Sequence, residues 1–411
     1  MSARSYALQV LEQVIYHDAY ASLAMRRPDK DLSREDMGLV SELVYGTLRN
    51  LTWLEYQWND LVKKKPSSRI SALLDMTVYQ LLFLDRIPAY AAVDEAVRLC
   101  GKHDKGFVNA ILRNVQRRGV REAEVTDRLE RCALMTSHPL WLLKLWKAHY
   151  GEDTAVAIAE FNQTRAFVYG RINTLKTDRA QLEADGAVFV NDLSFTYDGV
   201  LTDTDWFREG KAVVQDVSSA LIPVLLNLRP GMKVLDVCAA PGTKTQEIAM
   251  LMENCGEITA MDIYPERAAL IPPLMARTGV DIVKVKTGDA CIRQKDFADN
   301  SFDRILIDAP CSGLGDLRHK PEIRFHVKPE DLNAIANVQK QILDTSCGYL
   351  KPDGILVYST CTLNRKENEY QTALFIDRHP EFELISEKTY MPMENRSDGF
   401  YAAVMRKKGN S

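Results

Sequence analysis

The sequence predicts an α/β fold, in which a mostly parallel sheet is covered by helices on both faces and follows an all-helical region. From about residue 211 onward, short runs rich in β-branched residues alternate with helical patterns. This alternation is typical of parallel strands joined by crossover helices. Residues 1–118 instead carry apolar side chains at helical spacing. A length of 411 residues suits two or three domains, and we predict three, at 1–120, 121–210 and 211–411.

The N-terminal region is predicted to be a small bundle of helices. Apolar residues recur there every three or four positions, with no alternating strand pattern between the runs. Pro66 and Pro88 fall between periodic runs, where helix breaks are expected because proline cannot donate the helical hydrogen bond. The periodic apolar positions are Leu8, Leu11, Val14, Ile15, Leu39, Leu43, Val44, Leu48, Leu73, Leu74, Val78, Leu81 and Leu82.

The middle and C-terminal regions differ in pattern. A helical run at 140–150 leads into short strand-like runs and a stretch dotted with Gly and Asp, which predicts a small mixed α/β segment. Beyond it, five β-rich runs predict parallel strands, and two final runs predict an antiparallel hairpin. Pro272 and Pro273 should break the helical run that contains them. The seven strand runs are 234–239, 257–263, 281–290, 304–310, 354–361, 382–385 and 399–406.

Composition excludes several classes of protein. No stretch approaches the roughly 18 apolar residues of a membrane span, and the N-terminus does not resemble a signal peptide, so we expect no membrane and a cytoplasmic location. The eight cysteines form no C-x-x-C pair, so we expect neither a metal site nor a disulfide framework. The net charge is −4, although residues 1–120 carry +3, which is compatible with RNA binding there.

The first predicted strand of the sheet ends in a loop of small residues. Its sequence, D-V-C-A-A-P-G-T-K-T at 236–245, would let a backbone approach a ligand closely at Gly242, and Thr243 would cap the next helix. It lacks the glycine pattern of a P-loop or a dinucleotide-binding turn. A nucleoside without phosphates therefore suits this loop better than a nucleotide.

Carboxylates follow the next three strands. Asp262, Asp289 and Asp308 are predicted to end them, at the edge where open parallel sheets bind ligands. Asp262 is placed to accept hydrogen bonds from ribose hydroxyls and Asp289 to receive an adenine amino group. Each taken alone is equally a helix cap, but three in succession predict a nucleoside-bearing cofactor.

Two cysteines lie at the same edge of the sheet. Cys311 follows the fourth strand and Cys361 the fifth, each among polar loop residues. A single cysteine is usually a buried packing residue. Two at adjacent strand ends instead indicate a reactive thiol, because a deprotonated cysteine is a strong nucleophile.

These motifs resemble those of the NOL1/NOP2/Sun family of RNA cytosine-5 methyltransferases. The matching segments are V-L-D-V-C-A-A-P-G-T-K-T, D-A-P-C-S-G-L-G, Y-S-T-C-T and the downstream Glu367-Asn368-Glu369. The resemblance implies a Rossmann-like methyltransferase domain that uses S-adenosyl-L-methionine. It also implies that Cys361 attacks carbon 6 of cytosine and that Cys311 assists product release. Many members carry a second Gly at the position of Thr243.

The resemblance also assigns roles to the acids and to the loop. Asp308 would act near N3 of the cytosine ring, and Lys244, lying near it, would be catalytic. The acids at strand ends and the loop correspond to the cofactor pocket of the family. The predicted cofactor-binding residues are Cys238, Ala239, Ala240, Pro241, Gly242, Thr243, Lys244, Asp262, Asp289 and Asp308.

The N-terminal half resembles a NusB-type RNA-binding domain, on the segments 43–49, 88–96 and 106–113. A NusB-like domain before a Sun-family methyltransferase implies 16S ribosomal RNA as the substrate and partner, and we expect a monomer. Residues 113, 117, 118 and 121 are all Arg and form either a phosphate contact or a solvated helix face. Two alternatives stay open: a methyltransferase acting on tRNA or a small molecule, and an inactive RNA-binding assembly factor.

Overall fold

A computed structural model describes residues 1–26 and 32–409. The chain divides into two compact units. The first comprises Met1–Arg165 with Leu317–Lys328, and the second comprises Ala166–Asp316 with Pro329–Ser411. No helix among the described residues is long and apolar enough to cross a membrane.

The described residues contain α-helices in both units and strands in the second. The helices are α1 (Ala3–Tyr16), α2 (Ala21–Ala24), α3 (Arg34–Arg49), α4 (Leu51–Tyr56), α5 (Ser68–Phe83), α6 (Ala89–Leu99), α7 (Lys105–Arg118), α8 (Arg128–Met135), α9 (Leu140–Tyr150), α10 (Glu152–Phe161), α11 (Arg179–Ala184), α12 (Asp205–Arg208), α13 (Val217–Ala220), α14 (Thr243–Leu251), α15 (Pro265–Ala268), α16 (Ile271–Thr278), α17 (Ile323–His326), α18 (Asp331–Ser346), α19 (Glu369–Arg378) and α20 (Pro392–Asn395). The strands are β1 (Gly170–Ile172), β2 (Val188–Phe189), β3 (Ser194–Thr196), β4 (Ala212–Val214), β5 (Lys233–Asp236), β6 (Glu257–Asp262), β7 (Val283–Thr287), β8 (Phe302–Asp308), β9 (Leu350–Thr360), β10 (Phe382–Tyr390) and β11 (Phe400–Lys407).

The first unit is all-helical, as the periodicity of its apolar residues predicts. The stripes on α1, α3 and α5 meet in one core, where Leu8, Leu43 and Leu73 are fully buried. Pro88 lies directly before α6 and Pro66 shortly before α5, so both prolines fall between helices as expected. Three further helices, α8 to α10, belong to this unit.

A short segment from the second half of the sequence, Leu317–Lys328, completes the first unit. Its Arg324 is 1% exposed, and the guanidinium donates hydrogen bonds to the backbone carbonyls of Arg49 (2.9 Å), Thr136 (3.0 Å) and Asn162 (3.2 Å). Burial lowers the pKa of Arg324 to about 9.

Two further side chains of this segment bond the first helices of the unit. A carboxylate oxygen of Glu322 accepts a hydrogen bond from the Ala21 amide (3.0 Å) at the start of α2. The Nε2 atom of His326 lies 2.9 Å from the carbonyl oxygen of Val14 in α1. The segment is therefore bonded at several separate points of the helical unit.

The second unit contains a small antiparallel sheet of strand order β2-β3-β1-β4. Its core contains Ile172, Leu182, Phe195 and Trp206. The predicted mixed α/β segment is present, and its fourth strand, β4, lies just past residue 210. The three domain ranges given by the sequence stay a prediction.

The large sheet of the second unit has the order β10-β11-β9-β8-β5-β6-β7. Strands β5 to β9 are mutually parallel, and β10 and β11 form the predicted antiparallel hairpin. Chain direction therefore places the carboxyl ends of five strands at one edge. The predicted helix break also occurs: α15 and α16 are separate, and Pro272 and Pro273 lie in the first turn of α16, where proline is tolerated.

Candidate active site

The loop after β5 begins the site at the carboxyl edge of the large sheet. Gly242 has a φ of +101° and is the N-cap residue of α14, a conformation that favours glycine. The prediction that Thr243 caps this helix is wrong. Gly242 takes the N-cap position instead, so Thr243 is the first residue of the helix. No side chain caps the first turn.

Asp262 lies at the end of β6, as predicted, and holds this loop. One carboxylate oxygen accepts a hydrogen bond from the Ala240 amide (3.2 Å) and the other from the Tyr264 amide (3.1 Å). Arg267 donates to the Ala240 carbonyl (3.0 Å) and lies 3.8 Å from the Asp262 carboxylate. The loop backbone and Asp262 are thus fixed together, and each carboxylate oxygen retains a lone pair for a ligand.

Asp289 lies near the same edge, but not at a strand end. Strand β7 ends at Thr287, two residues earlier, and the Asp289 carboxylate accepts a hydrogen bond from the Cys291 amide (2.8 Å). Sequence reasoning also missed Ile263. This apolar side chain is 48% exposed directly after Asp262. Its position at the end of a buried strand is the sequence feature that could have identified it.

Lys244 and Asp308 form an ion pair at the centre of the edge. The Lys244 ammonium lies 2.7 Å from one Asp308 oxygen, and the Ser359 hydroxyl donates to the other (2.8 Å). Burial alone would lower the pKa of Lys244. The charge of Asp308 and its hydrogen bond raise this pKa, as do Cys361 and Asp236, and together they place it above its ordinary value. The sequence predicted Lys244 near Asp308; it did not identify Ser359.

The two cysteines lie side by side. The Sγ atoms of Cys311 and Cys361 are 3.4 Å apart, and both thiols are free. The hydrogen bond with Cys361, burial and the negative charge of Glu367 raise the pKa of the Cys311 thiol well above its ordinary value. The Lys244 ammonium interacts electrostatically with Cys361. The cysteine pair therefore has one member near a cation and one that keeps its proton.

A buried ion pair that the sequence did not reveal joins the small sheet to α14. Arg171 of β1 and Glu247 of α14 are both fully buried, with Nε and Oε2 3.4 Å apart. Gln215 bonds both side chains, at 2.7 and 2.9 Å, and Arg171 also donates to the Thr243 carbonyl (3.4 Å). Burial raises the pKa of Glu247 to about 7 although Arg171 and Gln215 oppose this. The first turn of α14 is thus supported from the small sheet.

The arginines around the end of α7, in the first unit, differ in what they contact. Arg118 lies 2.6 Å and Arg121 lies 3.6 Å from the carboxylate of Asp60. Arg113 lies 3.7 Å from a carboxylate oxygen of Asp94. Arg117 is exposed and donates to the Asn114 side chain (2.7 Å). The cluster is thus partly neutralised by its own acids.

Comparisons with known proteins match successive parts of the chain. The NusB family model matches residues 1–117, and the ferredoxin-like domain model of RsmF/B-like methyltransferases matches 138–185. The model described as 16S rRNA methyltransferase RsmB/F matches 223–406. A relative from Bacillus subtilis (strain 168), named probable ribosomal RNA small subunit methyltransferase B, is 36% identical over 99% of both chains.

The chain belongs to the RsmB/F family of 16S rRNA methyltransferases.

A second relative, ribosomal RNA small subunit methyltransferase B of Vibrio cholerae, is 34% identical and covers 99% of this chain and 98% of its own. A crystal structure of a methyltransferase homologue from Pyrococcus horikoshii is 27% identical, with a TM-score of 0.61, and covers 69% of this chain and all of its own. In this member of the RsmB/F family, the loop, the acids and both cysteines all lie within the range matched by the methyltransferase model. The NusB match ends within α7 and contains Arg113 and Arg117.

Proposed function

We propose that this chain is a 16S rRNA (cytosine-C5)-methyltransferase that uses S-adenosyl-L-methionine. The observation that carries the proposal is the pair of free thiols, 3.4 Å apart, beside a lysine–aspartate ion pair at the carboxyl edge of a parallel sheet. The rRNA substrate is taken from the names of the relatives, and the cytosine from the chemistry that two adjacent thiols allow.

The residues present fit the cofactor. Asp262 keeps acceptor capacity for ribose hydroxyls, and Asp289 does so for the adenine amino group. Directly after Asp262, the exposed Ile263 offers an apolar surface for the adenine ring. The small residues from Cys238 to Gly242 leave room beside the loop backbone. S-adenosylmethionine supplies an electrophilic methyl group when it is bound.

Cys361 is the nucleophile in this proposal. Its thiolate forms a bond to carbon 6 of cytosine, which makes carbon 5 electron-rich and able to take a methyl group. Negative charge shifts onto the ring during attack. In this proposal Asp308 lies near N3 of the ring, and the ammonium group of Lys244, which is paired with Asp308, stabilises that charge. A base then removes the carbon-5 proton, and the bond between Cys361 and carbon 6 breaks to restore the aromatic ring.

The local charges support this division of roles. The Lys244 ammonium interacts electrostatically with Cys361, so a cation acts on the sulfur that is proposed to attack. The raised pKa of Cys311 keeps that thiol protonated, so it is the weaker candidate for attack. The Cys311 sulfur lies 3.4 Å from that of Cys361, a position that suits assistance in the release of the product.

Substitution of each cysteine tests these roles. With unmodified 16S rRNA and labelled cofactor, Cys361→Ala should lower methyl transfer to background, because no bond to carbon 6 can form. Cys311→Ala should still attack and methylate but release slowly, so a covalent enzyme–RNA complex should persist on a denaturing gel. The double variant should give no complex.

The contrary outcomes are equally distinct. A covalent complex trapped only by Cys361→Ala would reverse the two roles. Methylation of tRNA in place of rRNA by the wild-type protein would change the substrate. No methylation of 16S rRNA, 30S subunits or tRNA would favour an RNA-binding assembly factor without activity. Mapping the labelled nucleotide by mass spectrometry distinguishes carbon 5 of cytosine from any other position.

A further inference from the structure

A buried carboxylate, Glu367, lies behind the cysteine pair. It is 0% exposed, and its two oxygens accept four hydrogen bonds. The Ser312 amide (2.9 Å) and the Gln339 side chain (3.0 Å) donate to one oxygen, and the Ser312 hydroxyl (2.5 Å) and the Asn364 side chain (2.8 Å) donate to the other. Each oxygen thus accepts two hydrogen bonds, which uses both of its lone pairs.

These bonds join the two loops that carry the cysteines. Ser312 directly follows Cys311, and Asn364 lies three residues after Cys361. The Ser312 hydroxyl also lies 2.8 Å from the hydroxyl of Thr362. Glu367 therefore holds each loop through a residue close to its thiol, and because it is fully buried its side chain is not open to a substrate.

The backbone of Glu367 is fixed to the strand that leads into Cys361. The Tyr358 hydroxyl of β9 donates to the Glu367 carbonyl (2.6 Å), and Gln339 of α18 donates both to the Glu367 carboxylate and to the Pro310 carbonyl (3.0 Å). Glu367 is thus held from β9 through its backbone carbonyl and from α18 through its carboxylate. All four donors to its oxygens are neutral groups, so its negative charge acts on the adjacent Cys311.

We infer that Glu367 is a positioning residue, which fixes the Cys311 loop against the Cys361 loop so that the Cys311 thiol serves the release step. This inference rests on the proposed function. Sequence alone showed only that Glu367 begins an E-N-E motif; it could not show which loops the side chain joins. The inference predicts a defect in release that leaves attack by Cys361 intact.

The test is Glu367→Gln, with Glu369→Gln as the matched control. The amide has the shape of the carboxylate but turns one accepting oxygen into a donor that faces two donors. We expect single-turnover methyl transfer within about threefold of wild type, multiple-turnover transfer at least tenfold slower, and a persistent covalent complex with RNA. Glu369, which is partly exposed, lies two residues further on, and its variant should behave as wild type.

A second variant, Ser312→Ala, removes the hydroxyl that donates to Glu367 but keeps the carboxylate. It should show the same accumulation of complex to a smaller degree, and it keeps the test valid if Glu367→Gln does not fold. Equal loss of single- and multiple-turnover rates in the folded variants, with no complex, would overturn the inference and leave Glu367 as a structural residue. A complex formed by Cys361→Ala would instead overturn the proposed function.

Discussion

At the scale of single residues, Asp262 combines two tasks. Its oxygens accept hydrogen bonds from the amides of Ala240 and Tyr264, which shapes the loop, and each oxygen keeps a lone pair for the proposed ribose. It is 4% exposed, so a hydrogen bond made there is protected from water. Loss of this carboxylate should therefore weaken cofactor binding, both directly and through the loop that it shapes.

Asp262→Ala is predicted to bind S-adenosylmethionine at least tenfold more weakly. A hydrogen bond to a buried charged group contributes about 1.5–3 kcal/mol, which corresponds to at least that factor. Isothermal titration calorimetry on the folded variant measures it directly. Asp281→Ala, at an exposed position before β7, is the control and should bind the cofactor as wild type does. Unchanged affinity of Asp262→Ala would show that Asp262 does not bind the cofactor.

Asp236, at the end of β5, predicts a pH dependence of stability. Burial raises its pKa to about 7, while the unfolded chain releases the same proton near pH 3.9. Between these values the folded state binds more protons, so the free energy of unfolding should fall as pH rises. Urea denaturation from pH 4.5 to 7.5 should show this fall for wild type and a smaller one for Asp236→Asn. Equal slopes would contradict the burial of a protonated Asp236.

Residues at strand ends were predictable, and residues behind them were not. Cys311, Cys361 and Asp308 follow adjacent strands, so chain direction alone brings them together. Arg171 and Glu367 are different, because their partners lie on other elements and depend on how side chains pack. No local pattern in the sequence encodes such a contact, which is why both were found only in the structure.

At the scale of elements, α14 depends on the small sheet. The pair of Arg171 and Glu247 is fully buried, and removing one member of such a pair leaves an uncompensated charge. Arg171→Met should therefore lower the free energy of unfolding by about 3–5 kcal/mol. Adding Glu247→Gln should recover part of this loss, because the second charge is then gone. Chemical denaturation of both single variants and the double variant gives the coupling energy, and simple additivity would contradict a direct interaction.

Helices and strands were predicted well where one periodicity dominates. The apolar stripes of α1, α3 and α5 specify a helical core, and the break before α16 follows from the missing amide of proline. The end of β7 was placed too late, because Asp289 continues an extended-looking run beyond Thr287. The short strands of the small sheet, only two or three residues long, have no periodicity to detect.

At the scale of the whole molecule, Arg324 is central to the first unit. Its three hydrogen bonds reach backbone carbonyls at 49, 136 and 162. Arg324→Met should lower the free energy of unfolding by about 3 kcal/mol, because buried carbonyls lose a charged donor. Lys144→Met, at an exposed position of α9 in the same unit, should change it by less than about 0.5 kcal/mol. Indistinguishable denaturation curves for the two variants would show that Arg324 is dispensable.

The same segment sets the order in which the newly made polypeptide can fold. Its hydrogen bonds join residues separated by 275, 301 and 312 positions, so the helices made first wait for residues that leave the ribosome far later. By then strands β5 to β8 have also been synthesised. At roughly 5–20 residues per second, the interval after residue 165 is on the order of ten seconds. Throughout that interval the backbone carbonyls of residues 49, 136 and 162 lack the donor that Arg324 supplies in the folded unit, so we expect the nascent helices to reach their final packing only after the segment has been made.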